Sequence, residues 1–177
     1  MEGVVEVEMA LPIRQTRRLA LVPFAAEDLD ALHALWIDAD VRRYLWDDIV
    51  ITRERAAREL DGALATTASD GIGYWTVRES KNASIIGDCG FRFIDDSREL
   101  ELMCCLLPAF WGRGLAFEAC QAALGCLWRA TAFDRVVARA DVPNTASIRL
   151  MERLGMRYES SDGVLLKYVI RRPPSVY

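Results

Sequence analysis

The chain has 177 residues, 52% of them hydrophobic and 27% charged, with a net charge of −4. That length fits one domain with a sizeable core. The slight acidity argues against a nucleic-acid partner, whose phosphates need a basic face, and no apolar run approaches the roughly 20 residues of a membrane span.

Residues 1–16 begin with alternating acidic and apolar side chains and lack a basic stretch followed by an apolar one. They read as an N-terminal tail rather than a secretory signal. Residues 17–177 then form a single domain, expected in the cytoplasm. Cys89, Cys104, Cys105, Cys120 and Cys126 are odd in number and show no CxxC spacing. That argues against a disulfide framework and against zinc. With His33 the single histidine, a Cys/His metal cluster or a Ser/His/Asp triad is nearly excluded. No metal is expected, and the thiols read as small buried hydrophobes.

In chain order, Leu19 to Pro23 alternates as a strand, and Glu27 to Ile37 spaces Leu29, Leu32, Leu35 and Trp36 as an amphipathic helix. Arg53 to Ala65 is a second helix with Thr52 as N-cap. Tyr74 to Arg78 and Ile85 to Ile94 form a hairpin about Ser80-Lys81-Asn82. Leu100 to Leu107 is a strand ended by Pro108. From Gly114 the period changes, and Phe117, Cys120, Leu124 and Leu127/Trp128 stripe a long helix ending near Arg129. Arg135 to Ala140 is a strand. Asn144 to Leu154 is a helix, with Asn144 suited to its N-cap and Gly155 to its C′ position. Arg157 to Glu159 and Val164 to Ile170 are strands about the turn Asp162-Gly163. This order describes a mixed α/β (α+β) sheet with an antiparallel middle.

The segment Glu101 to Glu118, ELMCCLLPAFWGRGLAFE, carries the strongest chemical signal. A strand runs into a Gly-x-Gly turn that opens a helix, where the first amides lack internal partners and the dipole favours an anion. Arg113 adds a positive side chain. A plain glycine turn before a core helix is the competing reading. GxxxxGK[ST] and an early GxGxxG are both absent. A second segment, Asp141 to Arg157 (DVPNTASIRLMERLGMR), places Asn144 at a helix start and Ser147 one turn later.

The pairing of E-x-E, P-x-F-W-G-R-G-x-A-x-E-A and N-x-x-S followed by Gly155 resembles the GNAT acetyltransferases. In particular it is similar to the branch that acetylates N-terminal amines of ribosomal proteins, over roughly Arg17 to Arg171. The resemblance implies a mostly antiparallel sheet of about seven strands with splayed central strands, flanked by about four helices. It implies acetyl-CoA as co-substrate, with the pyrophosphate at Trp111, Gly112, Arg113, Gly114, Leu115 and Ala116. Trp111 stands where many relatives have Arg or Gln. The pantetheine arm would border Cys104 to Leu107, Cys104 and Leu106 included, and Asn144 would contact it. Many relatives carry a tyrosine where this chain has Met151, so Ser147 becomes the candidate acid.

The implied reaction is N-acetyl transfer to a primary amine, an N-terminal peptide amine or a small molecule, by direct attack in a ternary complex. An ammonium with pKa ~10.4 must lose a proton to attack. The resemblance puts Glu101 in the cleft as leading base, against a surface-carboxylate reading, with Glu99 as runner-up on the same strand face. Trp36, Tyr44, Trp46 and Asp47/Asp48 would lie on the acceptor side, where core packing competes for the aromatics. A non-catalytic CoA-binding or regulatory protein on the same fold, and an unrelated phosphate-binding module, are the rival readings. Oligomeric state stays open, homodimers being common.

Overall fold

A computed structural model describes residues 11–94 and 97–174. Eight strands and five helices follow one another as β1 (Arg14–Gln15), β2 (Leu19–Pro23), α1 (Leu29–Trp36), α2 (Ala39–Leu45), α3 (Arg53–Asp70), β3 (Tyr74–Glu79), β4 (Ile85–Ile94), β5 (Glu99–Leu106), α4 (Leu115–Ala130), β6 (Arg135–Asp141), α5 (Thr145–Arg153), β7 (Arg157–Ser161) and β8 (Leu165–Arg171). They build one sheet in the order β1-β2-β3-β4-β5-β6-β8-β7. The β5–β6 pair is parallel and its neighbours are antiparallel. Among the described residues no helix is long and apolar enough to cross a membrane.

Caps explain most helix starts. Asp38 accepts from the amides of Asp40 and Val41 at the head of α2, Thr52 from Arg55 at α3, and Asn144 from Ser147 at α5. Gly155, at φ +84°, ends α5 with its amide on the Glu152 carbonyl and that of Met156 on Met151, a left-handed stop that glycine makes without a Cβ penalty. Two elements escaped the sequence: the short α2, whose apolar spacing is too brief to register, and β1.

β1 also corrects the expected tail. Residues 1–10 lie outside the described residues, but 11–16 are built into the fold. Arg14–Gln15 pairs with β2, the Pro12 carbonyl accepts from Trp75 Nε1 at 2.9 Å, and Thr16 Oγ1 donates to Glu118 at 2.6 Å.

Period-two alternation splits the sheet into two faces. One carries Leu19, Leu21, Val77, Cys89, Phe91, Leu102, Val136 and Ala138, buried under α4 and α5 in the larger core. The other is covered over its N-terminal half by α1 and α3, where Leu32, Leu35, Trp36, Ala56 and Leu60 form a second core. Cys104 and Cys105 fall on opposite faces, as neighbours on a strand must.

Candidate active site

Between β5 and α4 the chain turns through Gly112 (φ +70°) and Gly114 (φ +72°). A Cβ at Gly112 would meet nothing within 4 Å, so open space faces the turn. Gly114 is the N-cap of α4 and supplies no side-chain cap, unlike Asp38, Thr52 and Asn144 at their helices. Among the described residues, the amides from Gly112 to Phe117 donate to no protein acceptor; the first bond of the helix runs from Glu118 to the Gly114 carbonyl. Six donors and the positive end of a four-turn helix are therefore left for an anion.

Cations surround this turn, though not those the sequence suggested. Arg113 swings away to Glu79 at 2.6 Å and lies over the Phe110 ring. Arg18 and Arg153 instead bring a guanidinium nitrogen each to 3.7 Å from where a Gly114 Cβ would stand. Arg18 is fixed by Glu118 at 2.7 Å and by the Arg113 carbonyl at 2.8 Å, and Arg153 stacks on Phe117. No local spacing links Arg18 to a turn ninety-odd residues later, which is why sequence reasoning missed it. Trp111 is 51% exposed, and its Nε1 donates to the Leu106 carbonyl at 2.6 Å, tying the turn to the end of β5.

β5 and β6 pair in register at Glu101 and Val137 alone and then diverge. Leu107 donates to Ile86, so the odd residues of β5 bond to β4. In an antiparallel pair the next residues must then direct their N–H and C=O to the other side. Cys104 and Leu106 thus face the gap, with the Leu106 carbonyl held by Trp111. Across the gap stands α5. Asn144 uses Oδ1 to cap Ser147, and the Ser147 hydroxyl is half-buried with no protein partner among the described residues. Met151 is 3% exposed in the larger core.

The acids of β5 sit on the face away from α4, each in a cage of cations. Glu101 is 1% exposed. Its Oε1 accepts from Arg139 Nε at 2.7 Å, and its Oε2 from Arg92 Nε at 2.7 Å and Arg139 at 3.2 Å. Glu99 accepts from Lys167 at 2.7 Å and from Arg135. Burial works against its ionisation, but those two bonds outweigh it and hold the carboxyl below the usual range.

Beside this charged strip, under α1 to α3, lies a cavity of about 320 Å³. Phe24, Trp36, Trp46 and Tyr74 give it apolar walls, Arg58 and Glu59 line it from α3, and Asp88, Arg92 and Met103 line it from the sheet. Phe24 and Tyr74 stack at 5.3 Å. Trp46 Nε1 is buried without a partner among the described residues. Asp88 is 5% exposed and accepts from Trp36 Nε1 at 2.7 Å. Burial pushes its pKa up to about 7, against the opposing pull of the Trp36 bond. A lone acid inside the apolar run IIGDCGF was the signal that could have found it, since buried polar groups are the informative ones.

The thiols behave as expected of core side chains in one respect and not in another. Burial pushes the Cys105 thiol well above its usual range, so no thiolate is ready there for an acyl-enzyme. Cys89, Cys104 and Cys120, however, converge from β4, β5 and α4, their sulfurs within 4.8 Å of one another. Spacing along the chain gives no hint of that meeting.

Comparison with known proteins agrees with this geometry. The family profile described as "Acetyltransferase (GNAT) domain" matches residues 18–157. The chain is 28% identical over 155 residues to an uncharacterized N-acetyltransferase, p20, of Bacillus licheniformis, covering 86% of this chain and 85% of that one. Among solved structures, an acetyltransferase from Agrobacterium tumefaciens superposes with a TM-score of 0.82 at 22% identity, covering 96% of this chain and 100% of the other. RimL, the ribosomal L7/L12 alpha-N-protein acetyltransferase, in complex with coenzyme A superposes at 0.76 and 18% identity, covering 90% and 98%. With its family profile spanning most of the sequence and its sheet, turn and helix arranged to match, the chain belongs to the GNAT acetyltransferase family and is an acyltransferase.

Proposed function

We propose that the protein transfers an acetyl group from acetyl-CoA to a primary amine by direct attack in a ternary complex. The observation that carries this reading is the row of unpartnered amides from Gly112 to Phe117 at the uncapped head of α4, with Arg18 and Arg153 beside it. Such a cradle fits a diphosphate, because several N–H dipoles and two guanidiniums converge on one point. Backbone groups of Cys104 and Leu106, facing the gap between β5 and β6, would pair with the amide-bearing arm, and the Asn144 side-chain amide would reach it from α5. The bound co-substrate supplies a thioester, whose thiolate leaves with a thiol pKa near ~8.5.

The chain's own residues then divide the work. A backbone N–H on the open edge of β5 stabilises the developing oxyanion. The Ser147 hydroxyl, free of protein partners, donates toward the departing sulfur directly or through water. Glu101 is buried and accepts three bonds from two guanidiniums, so its role is to hold Arg92 and Arg139 in place. The cavity under α1 to α3 suits an amine with an apolar body, and the unpaired Trp46 Nε1 suits a carbonyl or hydroxyl oxygen on it. An N-terminal peptide amine and a small-molecule alkylamine with an apolar body both satisfy that description.

The test is thiol release from acetyl-CoA with a panel of peptide and small-molecule amines. Release that depends on the amine, and that falls when Gly114 and Asn144 are both replaced, supports the reading. Tight acetyl-CoA binding with no release across the panel would instead leave a CoA-binding protein. Stabilisation by ATP or inorganic phosphate equal to that by acetyl-CoA would remove CoA specificity altogether.

A further inference from the structure

Three acids are buried among the described residues: Asp28, Asp88 and Glu101. Asp28 is paired with Arg78 at 3.0 Å, and Glu101 with Arg92 and Arg139. Among the described residues Asp88 has no ion pair; it accepts from the neutral Trp36 indole at 2.7 Å, and its other polar neighbour is the neutral Cys105 thiol. An unpaired carboxyl in a core costs stability unless it is kept protonated, and natural folds retain such groups where chemistry needs them.

Its place in the sheet is also particular. Asp88 stands opposite Cys105 in the β4–β5 register, as a bonded pair, so the two Cα atoms are about 5.5 Å apart. Cys105 is flanked by Cys104 and Leu106, the two residues whose backbone faces the β5–β6 gap. The Asp88 side chain lies on the cavity face and lines the cavity. It therefore stands where the proposed acceptor pocket meets the strand edge that would carry the thioester.

We infer that Asp88 is the group that takes the proton from the acceptor ammonium, an inference that rests on the transfer reading. One Asp88 carboxylate oxygen stays on the Trp36 indole and the other receives the ammonium proton. The amine lone pair then forms the C–N bond while the C–S bond breaks and its electron pair stays on sulfur. The second excess proton on nitrogen goes to the thiolate, by way of Ser147 or water. Amide and free thiol result, and Asp88 returns its proton to solvent. The titratable or charged groups around it are Tyr74 from β3, Arg92 from its own strand, Cys104 and Cys105 from β5, and Arg58 and Glu59 from α3. Arg92 is held by Glu101, Tyr74 and Cys105 are neutral near pH 7 because burial pushes both up, and the pair from α3 lines the cavity with opposite charges.

Asp88→Asn keeps the shape and the acceptor for Trp36. Measured with acetyl-CoA and the amine panel, this variant should bind acetyl-CoA within threefold of the parent and lose about 100-fold or more of kcat, the usual contribution of a general base. Its kcat–pH profile should also lose the acidic limb. Trp36→Phe supplies an independent check: without the indole bond the carboxyl pKa rises, so the acidic limb should move to higher pH, a shift that a merely structural Asp88 would not produce. Parent turnover that Asp88→Asn leaves within threefold, or a limb unmoved by Trp36→Phe, overturns this assignment alone. Acetyl-CoA binding with no turnover by the parent overturns it together with the transfer reading.

Discussion

Glu101→Gln separates an ion-pair anchor from a base. Glu101 accepts three N–H bonds at 2.7, 2.7 and 3.2 Å from two guanidiniums. A glutamine keeps one oxygen but turns an NH₂ group toward donors that need an acceptor. Bonds to charged groups contribute about 1.5–3 kcal/mol each, and breaking a fully buried pair costs about 3–5 kcal/mol. The partners are not fully buried here: Arg92 and Arg139 side chains are 49% and 29% exposed and can turn to water. The expected loss is therefore roughly 2–3 kcal/mol. With a urea slope of about 2 kcal/mol per molar, the unfolding midpoint should fall by about 1 to 1.5 M. The assay pairs urea unfolding with the acetyl-transfer rate of the folded fraction, which should drop less than tenfold. Stability within 0.5 kcal/mol of the parent (roughly the size of an ordinary surface substitution) together with a hundredfold loss of rate would refute the anchor role and restore Glu101 as the base.

Three further outcomes follow from the same contacts. Asp88, raised from 3.8 to about 7, binds a proton in the folded state across a pH range where the unfolded chain has lost it, so stability should fall as pH rises from about 4 to 7; Asp88→Asn should match the parent in thermal unfolding at pH 4 and exceed it at pH 8, by at most about 4 kcal/mol at 1.36 kcal/mol per unit. Burial opposes the ionisation of Glu118, but the bonds from Thr16 and Arg18 win and lower its pKa below 4.5; its stabilisation is present above that value and lost as pH falls through the folded pKa, so Glu118→Gln should remove part of the acid sensitivity seen by hydrogen exchange in β1 and β2. Gly114→Ala puts a Cβ in the left-handed region at φ +72° with only ordinary contacts at 3.7 Å, a strain of about 1–2 kcal/mol; calorimetry should show CoA affinity weakened about tenfold, while an unchanged affinity would mean that the turn does not hold the cofactor.

Local signals carried much of the architecture. Thr52 and Asn144 are caps because their hydroxyl and amide oxygens answer free amides three residues on, a relation written entirely within four positions. Gly112 and Gly114 were legible because glycine enters the left-handed region without the Cβ penalty other residues meet there. What stayed hidden depends on contacts between distant segments. Glu101 looks on paper like any strand carboxylate; only the sheet shows that Arg92 and Arg139 close over it. Arg18 reaches the α4 turn because β2 runs past it, and the cysteine trio exists only once β4, β5 and α4 are packed. The strand β1 is two residues long, too short for any period to declare itself.

Asp88 and Glu101 share one face of adjacent strands, yet the fold gives them opposite surroundings. Glu101 lies where α1 to α3 no longer cover the sheet, and β6 brings Arg139 alongside it. Asp88 lies a few residues away under the Trp36 ring, bonded to the indole and in no ion pair, while Arg92 on its own strand is taken up by Glu101. Pairs of acids whose environments push their protonation apart are how one fold runs proton transfer near neutral pH. Here the boundary between helix-covered and open sheet is also the boundary between the two environments. The strand end that parts from β6 crosses it. A proton acceptor and a thioester-bearing edge therefore meet because the helical layer stops where it does, and lengthening the cover over Arg92 would bury a charge while shortening it would hydrate Asp88.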